Sequence, residues 1–190
     1  MAINESVDAK SNHDDRVSPK MMAHMVIKTR HFAETVRWYK TVFQAEVVFE
    51  NERVMFLTFD DEHHRIAIAS DPTIESYNPK AAGIDHVAYS YSSFRDLIHT
   101  YERLKASGIL PHWCINHGPT TSMYYKDPDG VRVELQVDNA AAVDPRGFFG
   151  SDAFAKNTIG IEFDPDVLAE KFHAGANEAD LMKQGSAPVA

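Results

Sequence analysis

Apolar and polar residues along this chain fall into two patterns that occur twice in the same order. Ala23–Thr29 alternates with a period of two, as a half-buried strand does. Phe32, Val36, Tyr39 and Phe43 then recur at three- and four-residue steps, the period of an amphipathic helix. Strand patterns follow at Glu46–Glu50, Val54–Phe59 and His64–Ala69, separated by the polar turns Asn51–Arg53 and Asp60–Glu62. The first unit therefore reads β-α-β-β-β. After a loop holding Pro72, Pro79 and Gly83, Asp85–Tyr91 is again a strand. Ser93 is a helix N-cap ahead of the stripe Phe94, Leu97, Ile98, Tyr101 and Leu104, and Gly108 stops that helix. Strands at Ile109–Ile115, Thr121–Lys126 and Val131–Val137 complete a second β-α-β-β-β unit, with Asp127-Pro128-Asp129-Gly130 as the last turn.

His24 and His86 hold equivalent places in the two units. Two fused modules of this kind predict an α+β fold, with one curved mixed sheet, a partly open barrel, and the helices on the outside. The predicted organisation is a disordered tail over residues 1–20, a single domain over 21–138 (modules 22–70 and 83–138), and an extension over 139–190. The extension carries Phe148-Phe149, a strand or turn at Thr158–Phe163 and a short helix at Pro165–Phe172. It is predicted to wrap the domain, with a frayed end from about Gly175.

Composition narrows the classes of function. The chain has 190 residues and a formal net charge of −9, which argues against nucleic acid or an anionic membrane as partner. No apolar run approaches the roughly 20 residues of a membrane span, and residues 1–20 lack the apolar core of a secretory signal. Cys114 is the lone cysteine, so neither an intrachain disulfide nor a thiolate zinc cage can form; burial as a small side chain is its expected role. A cytoplasmic enzyme or binding protein remains. An open sheet edge adds the expectation of a homo-oligomer.

Strand parity then locates the chemistry. Met25 and Ile27 share one face while His24, Val26 and Lys28 share the other. Val87, Tyr89 and Tyr91 oppose His86, Ala88 and Ser90, and Val131, Val133, Leu135 and Val137 oppose Arg132, Glu134 and Gln136. Each strand has an apolar face for the helices and a second face bearing His24, His86 or Glu134. Two imidazoles and one carboxylate form the facial set used by non-haem iron(II), with positions open for substrate and dioxygen. Taken one at a time, each of the three also fits a solvated face.

The segment from His117 to Leu135, HGPTTSMYYKDPDGVRVEL, resembles the signature of the vicinal oxygen chelate superfamily, and "INHGPTTSMYYKDPDG" is among the most specific parts of the resemblance. Together with "HHRIAIA", it is similar to the small single-domain type I extradiol dioxygenases that act on catechol or 2,3-dihydroxybiphenyl. The resemblance covers about residues 22–138. It implies iron(II), or manganese(II), held by His24, His86 and Glu134. It further implies His64 as acid–base histidine, Tyr124 as the pocket tyrosine and His117 as a second pocket histidine. The implied reaction is ring cleavage of an aromatic diol with dioxygen. Parity puts His64 on the face of Ile66 and Ile68, and His63 on the other as a structural residue. Phe59, Trp113, Phe148 and Phe149 are candidate walls for the substrate ring.

One position separates subclasses. Lactoylglutathione lyases of the superfamily are expected to add a carboxylate ligand from the last strand of the first module, where this chain has Ile66. A three-ligand site suits a bidentate catecholate plus dioxygen. The alternatives are a metal-dependent lyase, isomerase or thiol transferase on the same scaffold, or a ligand-binding member without enzymatic activity.

Overall fold

The computed structural model describes residues 17–189. Most of the expected N-terminal tail, residues 1–16, lies outside the described residues, as does Ala190. The first module comprises β1 (Met25–Thr29), α1 (Phe32–Phe43), β2 (Glu46–Glu50), β3 (Val54–Thr58) and β4 (Ile66–Ser70). The second comprises β5 (His86–Ser90), α2 (Phe94–Ala106), β6 (Trp113–Asn116), β7 (Thr120–Lys126) and β8 (Arg132–Asp138). This is the expected α+β arrangement of two βαβββ modules. The strands hydrogen-bond as two sheets rather than one, in the orders β1-β4-β3-β2 and β5-β8-β7-β6-β9, and no barrel closes. The last strand, β9 (Ile161–Glu162), comes from the C-terminal extension and pairs antiparallel with β6.

The periodicities find their physical cause in the core. Val36, Tyr39 and Val42 of α1 pack with Ile27, Met55, Leu57, Ile66 and Ile68 of the first sheet. Phe94, Leu97, Ile98, Tyr101 and Leu104 of α2 meet Met123, Tyr125, Val133, Leu135 and Val137 of the second. Each such fully buried side chain contributes about 1.5–3 kcal/mol of transfer free energy. Ser93 caps α2 by accepting the Asp96 N–H at 3.1 Å, and Gly108 leaves the helix at φ 76°. Cys114 is buried, and burial pushes its thiol up to about 12, which removes it from nucleophilic chemistry at neutral pH. Two strands begin later than their patterns suggest. β6 starts at Trp113 because Pro111 has no N–H for a ladder, and β4 starts at Ile66 because the chain from Asp60 to His64 forms a turn.

The two sheets meet along β1 and β5. At one end of this seam the Tyr89 hydroxyl reaches Met25 Sδ at 2.6 Å; at the other, Thr29 donates to Asp129 in the turn before β8. His86 pairs with Arg132 at the start of β8, so β1 and β5 run antiparallel. His24, immediately before β1, and His86, first in β5, consequently flank the seam from opposite ends. Between them lie Val26, 61% exposed, and Ala88, also exposed, as an open floor.

The extension is built into the second module. It adds α3 (Pro145–Phe148), α4 (Asp152–Lys156), α5 (Pro165–His173) and α6 (Glu178–Leu181). Its end does not fray as expected from composition: Leu181, Met182 and Ala187 are buried, and Asn116 Nδ2 donates to the Met182 carbonyl at 2.7 Å. Asn139, fully buried, accepts from Thr121 Oγ1 at 2.8 Å and donates to the Gly118 carbonyl at 2.8 Å, fixing where the extension leaves β8. Gly160 has φ +123°, and a Cβ there would stand 2.4 Å from the Asn116 carbonyl oxygen, so only glycine lets β9 approach β6. No helix of the described residues is long and apolar enough to cross a membrane.

Candidate active site

Glu134 lies mid-strand in β8, opposite Ala88 of β5 and Tyr124 of β7, so the three share one sheet face. Its carboxylate is buried, at 4% exposure, yet it faces the cup rather than the helices. Glu134 Oε2 lies 2.9 Å from His86 Nε2, and His86 Nδ1 lies 2.7 Å from Asp85 Oδ2. This hydrogen bond from His86 is the largest cause holding the Asp85 carboxyl below its ordinary range, and the Arg132 guanidinium adds to it.

The imidazole is thus clamped between two carboxylates, which has a chemical consequence. A neutral His86 that gives its Nδ1–H to Asp85 turns an Nε2 lone pair toward a carboxylate lone pair. Such a pair repels unless a cation is shared between them. A proton can serve, and so can a divalent ion: two ligands at right angles with bonds of about 2.1 Å are about 3.0 Å apart. A carboxylate on the outer nitrogen of a histidine is also the usual orienter of a metal-binding imidazole. His86 and Glu134 therefore fit a divalent metal.

His24 lies apart from this pair. It is exposed, and its ring stacks on His64 with centroids 4.4 Å apart. His64 stacks in turn on Phe56 at 4.8 Å, and its Nδ1 is 2.6 Å from that of His63. Among the described residues no three His, Cys, Asp or Glu side chains converge on a point fit for a metal, and no hydrogen bond or ring contact joins the two groups. The sequence triad is assembled as the His86–Glu134 pair, with His24 across the open seam floor.

Parity misplaced two histidines. Ile66 and Ile68 belong to the helix-facing core, and His64 does not continue their face, because the chain has left strand geometry before Ile66. That turn swings His64 onto Phe56 and His24, and it brings His63 against His64 instead of leaving it on the far face. Desolvation, then the neighbouring His24 and His63, lower the His64 pKa from the usual 6.5 and favour its neutral form.

On the other side, Tyr124 and His117 are joined. His117 Nδ1 lies 2.5 Å from the Ile159 carbonyl of the extension, which can only accept, so that nitrogen carries the proton. Its Nε2, 3.1 Å from the Tyr124 hydroxyl, then accepts from the phenol. Burial, followed by the Glu134 charge, raises the Tyr124 phenol well above its ordinary value. Tyr124 is consequently an O–H donor at neutral pH. Arg132 lies over the Tyr124 ring at 5.2 Å, and its buried Nε is a donor the protein itself does not use.

These groups floor a cavity of about 340 Å³ lined by His117, Tyr124, Glu134, Phe149, Phe154 and Thr158. Of the four expected aromatic walls, Phe149 lines it. Trp113 packs on Tyr124 at 4.8 Å, Phe148 lies on Gly118, and Phe59 joins Phe43 and Tyr89 at 5.5 and 5.9 Å, away from the cavity. The sequence reading missed Asp85, Arg132 and Phe154. The first two were legible from parity as neighbours of His86 and Glu134. Phe154 was not, since nothing local in the extension says which way it folds.

Residues 21–135 match the family model described as Glyoxalase/Bleomycin resistance protein/Dioxygenase superfamily. The chain belongs to that superfamily. Its relatives include biphenyl-2,3-diol 1,2-dioxygenase 2 of Rhodococcus globerulus, 44% identical over 160 residues, which are 83% of this chain and 84% of the relative. Biphenyl-2,3-diol 1,2-dioxygenase 3 of the same organism is 39% identical over 168 residues, 87% and 88% of the two chains. Among solved structures, a glyoxylase/bleomycin resistance protein/dioxygenase domain from Frankia sp. EAN1pec has a TM-score of 0.54 at 17% identity, covering 64% of this chain and 99% of its own. Lactoylglutathione lyase from Agrobacterium tumefaciens has a TM-score of 0.52 at 17% identity, covering 63% of this chain and 94% of its own. The last two show the superfamily fold alone. The dioxygenase relatives imply a divalent metal cofactor.

Proposed function

We propose that the protein is an extradiol dioxygenase that opens the ring of a biphenyl-2,3-diol-like catechol next to the diol. The observation that carries this reading is that Glu134, on the floor of an aromatic-walled cavity, lies 2.9 Å from His86. The dioxygenase relatives, 44% and 39% identical, supply the substrate class. The reaction adds both atoms of dioxygen to the diol, breaks one carbon–carbon bond beside it, and leaves a carboxylate and a carbonyl at the new ends.

His86 and Glu134, with His24 from across the seam, are the residues that would hold the metal, iron(II) in this reading and manganese(II) as the alternative. When bound, the ion supplies Lewis acidity and a template for diol and dioxygen. The chain's own groups do the rest. Asp85 fixes the His86 ring, and Glu134 presents its buried carboxyl group on the floor. On substrate binding the single Tyr124 O–H turns from His117 Nε2 to a diol oxygen and stabilises it as it loses its proton. His64 accepts that proton and returns it as the ring opens, and His117, anchored on the Ile159 carbonyl, holds the Tyr124 hydroxyl until the diol takes its place. Phe149 and Phe154 exclude water. The same reading includes a cytoplasmic location and an assembly of identical chains through the exposed edge strand β2.

Oxygen uptake tests it. Protein reconstituted anaerobically with iron(II), and in parallel with manganese(II), is expected to consume one dioxygen per biphenyl-2,3-diol with one of the two ions. Diol left intact, or converted without oxygen uptake, contradicts the reading; the second outcome favours a lyase, isomerase or thiol transferase, none of which consumes oxygen.

A further inference from the structure

The cavity over Glu134 has two kinds of wall. Its floor belongs to the superfamily fold: Tyr124 and Glu134 lie within the 21–135 match. Its roof does not, since Phe149, Phe154 and Thr158 come from beyond residue 138. The solved structures named above use 94–99% of their own length yet cover only 63–64% of this chain. The match to the R. globerulus enzyme covers 83% of this chain, more than residues 1–135 can supply, so it reaches into the extension.

We propose that Phe149 and Phe154 receive the second aromatic ring of the substrate, so that the extension, and not the shared fold, sets a preference for aryl-substituted diols over simple catechol. This rests on the extradiol reading above. Phe149 and Phe154 meet edge to face at 5.3 Å, and Phe149 remains 60% exposed beside the cavity. An exposed aromatic face at the mouth of a cavity of about 340 Å³ is a surface that gains most from stacking a flat apolar ring. The roof is pinned in place. The Phe148 ring lies against Gly118, where a Cβ would come within 2.2 Å of it, and Ile159 accepts from His117. The wall is therefore tied to the Tyr124–His117 pair and stands at a fixed distance from the reacting ring.

A second apolar cavity competes for the same role. It has about 340 Å³ beside His86 and is lined by Ile74, Tyr77, Ile84 and Val87. Its walls come from β1, from His86 and Val87 of β5, from Asp129 and Val131, and from the linker between modules, all inside the superfamily match. If it held the second ring, the extension would be dispensable for selectivity.

The test measures kcat/KM for biphenyl-2,3-diol and for catechol in the full-length iron(II)-loaded protein and in Phe149→Ala, Phe154→Ala and Tyr77→Ala. Both phenylalanine changes are expected to lower the biphenyldiol-to-catechol ratio about tenfold or more, through KM for the biphenyldiol, with Tyr77→Ala shifting it little. An unchanged ratio in both phenylalanine variants overturns the proposal, as does a collapse in Tyr77→Ala alone. Parallel loss with both substrates overturns it too, because the roof then serves the site generally. Wild-type protein that cleaves neither diol refutes the extradiol reading instead, which keeps the two failures distinct.

Discussion

Glu134→Gln is expected to abolish metal retention and ring cleavage together, lowering kcat/KM by about a thousandfold or more while leaving the metal-free protein folded. Loss of a mere outer partner of a ligand typically costs 10–100-fold, and Glu134 offers the charged oxygen itself. The prediction separates chemistry from folding because of the way His86 is held. In the metal-free protein the imidazole sits between Asp85 at 2.7 Å and Glu134 at 2.9 Å and needs a shared cation. Glutamine presents an N–H to His86 Nε2 and removes a buried charge, so the unfolding midpoint of the metal-free variant should equal or exceed that of the wild type. Iron analysis after dialysis, oxygen uptake and urea unfolding measure the three quantities. A variant that keeps stoichiometric iron would remove Glu134 from the ligand set.

His64→Ala is expected to lower kcat by roughly 10²–10⁴-fold, the range for a lost general acid–base group, with iron content and KM for the diol little changed. Its signature is in the pH profile. Desolvation, the largest cause, brings the His64 pKa below its ordinary value, and it persists if His24 leaves the stack for a metal. Protonation on the acid side removes the acceptor, so wild-type kcat should fall as pH drops through that lowered value. The alanine variant should lose that limb. Turnover at the native rate, or an unchanged acid limb, would assign the proton transfer elsewhere, with Tyr124–His117 next in line.

Much of this molecule is written locally. The stripe Phe94, Leu97, Ile98, Tyr101 and Leu104 specifies α2 because each member is buried, and Ser93 and Gly108 mark its ends by capping chemistry that acts within a few residues. Parity put Glu134, His86 and Tyr124 on one face for the same reason: β5, β7 and β8 are regular, and alternation is strict in a regular strand. The same rule failed at His64, where a turn interrupts the strand and resets the facing of every residue before it. The division into two sheets escaped the sequence because modules meet along a seam of side-chain contacts that leave no periodic trace. The extension was least legible. Phe154 and Ile159 reach the site only because Gly160 and Asn116 let β9 join β6, contacts between residues more than forty positions apart.

We propose that metal binding draws His24 and His86, one from each module, together with Glu134. Crystals grown anaerobically with iron(II), measured at the iron absorption edge, test it directly. One anomalous peak is expected over Val26 and Ala88, roughly 2.0–2.3 Å from a ring nitrogen of each histidine and from a Glu134 oxygen. A peak bound to His86 and Glu134 with His24 still stacked on His64, or a peak anywhere else, would contradict it.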